Sequence, residues 1–457
     1  MSVVAFVLGV LFMATGVAAS IALHEVGHLV PAKRFGVRVT QYMVGFGPTM
    51  WSRRRGETEY GVKAIPLGGY IRMIGMYPPR PGDAPGTVRA SSTGRFSQLV
   101  DEARAASLEE VRPGDEERVF YRLSVPKKVT VMLGGPTMNL LIGVVLLTIL
   151  VTAHGIPTAQ PGAVVASVSK CVVPVTAATA ATTAPACTDQ PPTPALVAGI
   201  RPGDRFVSIA GEPVDDTRAV GELIRPRVGQ PVPIVLDRDG TRVTVTATPI
   251  RNVVPVLGAD GVPVTNADGS TRTTEAGFLG VSSAAPVAYV PQSVTAVPVL
   301  LWSYLSGTAE ALVHVPERMA GVWQAAFGGA EREADSPMSV VGVGRVAGEA
   351  TGGKYDSVVG KSAADKVWFL VGLLAALNFM LFLFNLIPLL PLDGGHVAGA
   401  LWEGLKRQLA RLRGRPDPGY VDVAKALPVA YTVSMVLLGA SLLLIYADLV
   451  KPVSLGG

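Results

Sequence analysis

The sequence predicts a multi-pass α-helical membrane protein with four transmembrane helices. A membrane-associated β-hairpin region follows the first helix, and an α+β extracytoplasmic domain is inserted between the second and third. Three observations carry this expectation. Hydrophobic residues make up 49% of the 457 residues and charged ones only 16%, a balance unusual for a water-soluble domain. Four apolar stretches, at about 3–30, 129–153, 367–390 and 427–447, reach the ~20 residues a helix needs to cross a hydrocarbon layer about 30 Å thick. Lys and Arg crowd two of the intervening loops, as they do on the cytoplasmic side of membrane proteins.

The first stretch carries Val17-Ala18-Ala19-Ser20, which faintly resembles a signal-cleavage site, but no basic residue precedes the apolar run, so it reads as a retained span. Inside it, His24, Glu25 and His28 spell H-E-x-x-H. A spacing of four puts both imidazoles on one helix face, about 6 Å apart along the axis, where they can grip one zinc ion. Glu25 beside them can take a proton from a water that the ion makes acidic. Three ionisable groups within five residues of a span would cost several kcal/mol on insertion and are seldom kept without a function.

The loop after this span holds Lys33, Arg34, Arg38, Arg53, Arg54 and Arg55. The loop after the third holds Lys406, Arg407, Arg411 and Arg413. Both loops are therefore expected in the cytoplasm, with both termini and the long middle segment outside. This asymmetry accounts for the net charge of +5 without a nucleic-acid partner. Residues 80–119 are charged and punctuated by Gly and Pro, as a flexible insertion would be.

Cys171 and Cys187 are the only cysteines, and both fall in the segment assigned to the outside, where a disulfide is permitted. Closing the Ala-, Thr- and Pro-rich run between them would contribute about 3 kcal/mol in the chain-entropy model. Two unrelated thiols are the alternative.

A catalytic zinc needs a third protein ligand and an open position. Asp393, in Asn385-Leu-Ile-Pro-Leu-Leu-Pro-Leu-Asp393-Gly-Gly-His396, is the best candidate. Prolines and glycines break the helix there, and irregular backbone at membrane depth is tolerated only where protein or a wet cavity covers it. Asp393 and His28 also fall at the same membrane face in the predicted topology. A fifth span at 294–326 would destroy that agreement, and Glu310, His314, Glu317 and Arg318 point instead to amphipathic or interfacial helices. His396, His154 and His314 read as structural or supporting residues.

H-E-x-x-H in the first span with N-x-x-P and L-D-G in the third resembles the site-2 protease family of intramembrane zinc metalloproteases. The bacterial, regulator-of-sigma-E protease-like branch that acts on anti-sigma factors looks nearest. Gly45-Phe46-Gly47-Pro48, Pro66-Leu67-Gly68-Gly69-Tyr70, Gly134-Gly135-Pro136-Thr137-Met138-Asn139 and Pro337-Met338-Ser339-Val340-Val341-Gly342 extend the likeness over most of the chain. The Ala, Val, Gly and Arg content would suit an actinobacterium.

By this resemblance one Zn2+ is bound by His24, His28 and Asp393, Glu25 activates water, and Asn385 positions substrate or its oxyanion. The glycine-rich hairpin at 37–73, with Gly45, Phe46, Gly68 and Gly69, would pair with an unwound stretch of substrate. Asn139 is open to either substrate contact or helix packing. The enzyme would sit in the bacterial plasma membrane with its active site near the cytoplasmic face. It would cut a single-span protein such as an anti-sigma factor after an upstream site-1 protease has acted.

Pro194 to Gly211, with strand-like runs at 206–209, 232–236 and 243–247, resembles the core of a PDZ domain, and 164–168 would be its ligand-groove strand. Such a module either excludes substrates with large ectodomains or captures peptide, and the size filter is preferred.

The expected units are the first helix with H-E-x-x-H (1–36), the cytoplasmic loop with the hairpin (37–126) and the second helix (127–155). The PDZ-like domain (156–252) and a post-PDZ amphipathic segment (253–364) follow. The third helix with L-D-G (365–396), a cytoplasmic loop (397–426) and the fourth helix with its tail (427–457) complete the chain. Clearance of remnant signal peptides and a non-proteolytic PDZ scaffold are the alternative functions. A metal transporter is disfavoured because no chain of polar residues crosses the other spans.

Overall fold

The computed structural model describes residues 2–79, 95–172, 187, 190–256, 258, 264–266, 270–333 and 335–454. Most of the Cys-bracketed run and residues 80–94 of the charged insertion lie outside them. The chain divides into two compact units, Met1–His154 with Gln292–Gly457, and Gly155–Pro291.

The first unit opens with helix α1 (Val3–Arg34), capped by the Ser2 side chain. Strands β1 (Val39–Arg55) and β2 (Thr58–Met73) follow. Each bends at glycines of positive φ, Gly45, Gly47 and Gly68, which only a residue without Cβ adopts readily. Four segments therefore lie side by side in the order 69–73, 39–44, 58–62 and 51–55, because 39–44 pairs with β2 on both of its edges. Part of the expected flexible insertion is helical, as α2 (Arg95–Glu109), with Arg104 buried against Asp101 and Asp422. Helix α3 (Val125–Ile149) runs back antiparallel to α1.

The second unit holds β3 (Ile156–Ala159), β4 (Ala163–Val168), α4 (Pro194–Val197), β5 (Arg205–Ile209), β6 (Glu212–Pro213) and α5 (Thr217–Ile224). It continues with β7 (Val232–Arg238), β8 (Thr241–Ala247), β9 (Ile250–Pro255), β10 (Thr273–Phe278), β11 (Val281–Ala284) and β12 (Val287–Val290). Its main sheet has the order β11-β4-β5-β7-β8, with β6 on β5. Phe206, Ile209, Ile234 and Leu236 fill the core between this sheet and the helices. Cys171 and Cys187 are joined by a disulfide.

Two expectations are corrected here. The unit runs to Pro291 rather than 252, because β11 pairs with β4 and β12 with β3, pairings too distant in sequence for local pattern to reveal. Residues 164–168 are not an open groove strand, since β4 is flanked by β5 and β11.

The first unit then resumes with α6 (Val297–Val313), α7 (Val315–Phe327), α8 (Val340–Thr351), α9 (Asp356–Val359), α10 (Ala363–Asn385), α11 (Asp393–Leu412) and α12 (Leu427–Val450). Five helical segments among the described residues are long and apolar enough to cross a membrane, one more than the four expected. The addition is Val294–Val313. The chain breaks at His314, so His314, Glu317 and Arg318 belong to the break and to α7, and Glu310 is the only charged side chain left in the apolar run. The third expected span, 365–396, is likewise two elements, since α10 ends at Asn385 and Asp393 opens α11.

α1, α3 and α10 form the heart of this unit. Met13, Leu370 and Leu374 pack together, Gly16 meets Leu374, and Asn378 donates to Ser20 at 3.0 Å, so α10 runs parallel to α1. Gly27 and Gly134 face each other across α1 and α3, where a Cβ on Gly134 would lie 1.9 Å from the Gly27 carbonyl oxygen. Small residues at such a crossing let helix backbones touch, which is how helices gain packing energy in lipid.

In the second unit Asp204 accepts from Arg238 Nε and Nη2 at 2.8 and 2.7 Å, and from the Arg201 backbone amide at 2.8 Å. Burial works to raise this carboxyl, but these hydrogen bonds outweigh it and hold it below the usual carboxylate range. A depressed folded-state value contributes stability above the unfolded-state value and loses it as pH falls through the folded one. Asp204→Asn should lower the opening free energy of β5 and β7 by roughly 1–3 kcal/mol at neutral pH. Hydrogen–deuterium exchange on the full-length protein should show that difference shrinking as pH drops below about 4.

Candidate metal centre

One turn of α1 and the first residue of α11 build the site. His24 Nε2 and His28 Nε2 lie 3.2 Å apart, and Asp393 Oδ2 lies 3.3 and 3.4 Å from them. An ion about 2.0–2.1 Å from three donors at tetrahedral angles would hold them about 3.3–3.4 Å from one another, so the triangle fits zinc. Asp393 Oδ2 is buried and has no hydrogen-bond partner. Other buried acids of this unit are met by donors: Glu403 by Lys128, Asp448 by Arg332 and Ser339, and Glu349 by Arg345, Lys354 and Tyr355. A carboxylate oxygen left facing two imidazoles is a donor set awaiting a cation.

Local sequence explains how each candidate ligand atom is aimed. The backbone crossing at Gly27 and Gly134 presses the H-E-x-x-H turn against α3. Gly135 makes room for the rings, since a Cβ there would lie 2.2 Å from His28 Nε2 and 2.7 Å from His24 Nε2. His28 Nδ1 sits 2.8 Å from the Val131 carbonyl oxygen, so it carries the proton and leaves Nε2 free to ligate. Asp393 is placed by a fold-back of the chain after α10. Gly394 lies against the Leu386 and Ile387 carbonyls and Gly395 against Leu389 and Leu390, where any Cβ would come within 2.3–2.5 Å of backbone. The glycines of L-D-G-G are thus steric requirements of the turn that delivers the carboxylate.

Glu25 is buried beside this triad, within electrostatic reach of both imidazoles and of Asp393, and its carboxylate accepts from the Ile71 backbone amide. Gly69 lies against it, with a Cβ there 2.9 Å from Glu25 Cγ. Segment 69–73 pairs with 39–44 on one side and with no other strand among the described residues, so its open edge faces Glu25. Phe46 packs over Gly68, where a Cβ would meet its ring at 2.5 Å, and stacks on Tyr70 at 6.3 Å. Gly45 makes the bend that brings Phe46 there, with φ of 94°.

Asn139 is buried, with its side-chain amide 3.1 Å from His24 Nδ1. Asn385, the last residue of α10, donates its side-chain amide to the Leu381 carbonyl at 3.0 Å. His396 is half-buried, one helical turn beyond Asp393, and lines a small cavity with Lys128 and Glu403. Val131 and Ile71 carry no signal in the sequence, and Gly135 only that of the Gly-Gly-Pro motif, because all three act through backbone or through the absence of a side chain.

Gly135→Ala should leave the helices formed but displace an imidazole at a cost of roughly 1–3 kcal/mol. Zinc affinity of the purified protein, measured by competition with a chromophoric chelator, should therefore fall by about ten-fold or more.

The family model described as Peptidase family M50 matches residues 12–424. Zinc metalloprotease Rip1 of Mycobacterium tuberculosis is 34% identical over 456 residues, covering 98% of this chain and 99% of the relative. Rip1 of Mycolicibacterium smegmatis is 34% identical over 463 residues, with the same coverage. A putative zinc metalloprotease, mll0638 of Mesorhizobium japonicum, is 28% identical over 392 residues, covering 85% of this chain and 86% of the relative. With a donor triangle of zinc dimensions beside a buried glutamate, and a match that spans nearly the whole chain, the protein belongs to peptidase family M50, the site-2 protease family, and is a zinc-dependent intramembrane metalloprotease.

Proposed function

We infer that this enzyme performs regulated intramembrane proteolysis, hydrolysing a peptide bond in single-span membrane proteins, anti-sigma factors above all, that a site-1 protease has already trimmed. The observation that carries this reading is the placement of Glu25 at the open edge of segment 69–73. Peptide bonds within a helix are hidden, and a protease needs an extended strand. A substrate strand added to this edge would lie beside Glu25 and the proposed ligands His24, His28 and Asp393.

Zinc, when bound, supplies Lewis acidity toward a water and the scissile carbonyl. The chain's residues do the rest. His24, His28 and Asp393 hold the ion, and Glu25 takes the proton of the attacking water and returns it to the departing amine nitrogen. Gly45 and Gly68 shape the bend that sets Phe46 beside the edge, and Gly69 keeps that edge close to the base. Asn385, released from Leu381, would offer its amide to the developing oxyanion.

We place the enzyme in a bacterial plasma membrane, with the PDZ-like unit outside and the active site near the cytoplasmic face, as the Lys- and Arg-rich loops favour. Four crossings suffice. α10 is parallel to α1, and His154 beyond α3 stacks on Trp368 at the start of α10, so the segment between them begins and ends at one membrane face. Helices α6 and α7 would then enter and leave from that face. Tyr304 of α6 against Phe379 and Phe327 of α7 against Tyr446 support this arrangement. The PDZ-like unit would hold back substrates whose ectodomains have not been shed.

The test is cleavage of a tagged single-span anti-sigma substrate by the detergent-purified enzyme, with and without the substrate's ectodomain. Wild type should cut the trimmed form in preference. Glu25→Gln should keep its zinc yet lose roughly 10²–10⁴-fold in rate, and removal of zinc by chelation should abolish cutting reversibly. Equal cutting by Glu25→Gln would sink the assignment.

A further inference from the structure

The two imidazoles of the site are not supported alike. His28 Nδ1 faces the Val131 carbonyl, which can only accept, so that ring's tautomer is settled. His24 Nδ1 faces the side-chain amide of Asn139 at 3.1 Å, and an amide can either donate or accept. The amide nitrogen points at the ring, and the carboxamide oxygen, buried, has no hydrogen-bond partner. An imidazole that accepts at Nδ1 must carry its proton on Nε2, the atom turned toward His28 and Asp393, and cannot ligate. Turning the amide by half a rotation puts the oxygen on a protonated Nδ1 and frees Nε2. The nitrogen and oxygen of an amide differ too little in shape for packing to choose between the two orientations.

Both supports come from one face of α3. Val131, Gly135 and Asn139 are spaced i, i+4 and i+8, so carbonyl, gap and amide stand in a row. The gap at Gly135 brings the rings within reach of the other two. Asn139 is only 1% exposed, as suits a residue whose partner is a neighbouring side chain.

We propose that Asn139 is a positioning residue for zinc, its carboxamide oxygen accepting the His24 Nδ1 proton and thereby selecting the tautomer that presents Nε2 to the ion. This rests on the reading of His24 as a ligand. An outer hydrogen bond of this kind carries about 10–100-fold in metal affinity. It differs from a substrate contact, which would alter cleavage and leave zinc binding alone, and from packing, which an isosteric apolar side chain would satisfy.

The experiment compares zinc affinity, by chelator competition, and the visible spectrum of the cobalt-substituted protein in full-length wild type, Asn139→Leu, Asn139→Asp, Asn139→Ala and His24→Ala. Helical circular dichroism of the metal-free forms reports folding. Asn139→Leu, of like size, should bind zinc about 10–100-fold more weakly with an altered cobalt spectrum. Asn139→Asp, whose oxygens only accept, should bind at least as tightly as wild type. If Asn139→Leu does not fold, Asn139→Ala supplies the same comparison. Undiminished affinity in the apolar variants, or Asn139→Asp as weak as they are, overturns the proposal. If His24→Ala also binds zinc at full strength, the ligand assignment itself has failed. If His24→Ala loses zinc while the apolar Asn139 variants do not, only the role of Asn139 has.

Discussion

The contact of two backbones at Gly27 and Gly134 is the constraint on which the first unit depends. Helices in lipid are not driven together by exclusion of water, because lipid tails are as apolar as leucine. What holds them is close packing and the few polar groups they share. With no Cβ at either position, α1 and α3 approach until each glycine's Cα faces the other's carbonyl, and everything near the crossing follows. The H-E-x-x-H turn meets the α3 face that carries the Val131 carbonyl, the gap at Gly135 and the Asn139 amide. A half-turn slip of either helix would replace all three partners at once. The third helix is keyed to the same pair, with Asn378 bonded to Ser20 on α1 and Phe379 seated on Gly143 of α3.

Around this crossing the fold handles buried charge in two ways. Away from the site each buried acid meets cations or donors. Glu403 meets Lys128 and Arg407, Glu349 meets two cations and a tyrosine, and Asp448 is shared between Arg332 and the cap of α8 at Ser339. Such pairs are costly to break and serve to lock loops and helix ends. Within the site that accounting is left open. Asp393 Oδ2 is turned to two imidazoles at ligand spacing, and Glu25 is held by one backbone amide from the sheet edge. Leaving such groups in a low-dielectric interior costs stability, and binding of a divalent cation offsets that cost. The same region therefore gathers the destabilising groups and the proposed chemistry.

The folded-back hairpin and the two-part third span show a related economy. Segment 39–44 is paired on both sides while 69–73 keeps one edge open, and the glycine bends decide which. An open edge is ordinarily a hazard for aggregation. Here it is the edge that faces the proposed base. At the other half-site, Gly394 and Gly395 let α11 start against the backbone of residues 386–390, just after α10, so a carboxylate can be presented where a continuous helix would have carried it past.

Much of the site was legible in the sequence because its chemistry resides in side chains at helical spacing. Two imidazoles four apart with a glutamate between them in a span, and an aspartate on a broken helix end, announce a metal site whatever surrounds them. The apolar lengths announced a multi-pass chain for the same reason, since a bilayer imposes length on sequence directly. Three things were decided only by tertiary structure: the extent of the inserted unit, the division of 294–326 at His314, and the partners of His24, His28 and Glu25. β11 and β12 join strands more than 110 residues away, α6 and α7 are set by the helices they pack on, and Val131, Gly135 and Ile71 act through backbone or empty space. Residue type tells which atoms a chain possesses. Only the folded path tells which backbone groups stand beside them, because every residue carries the same amide and carbonyl.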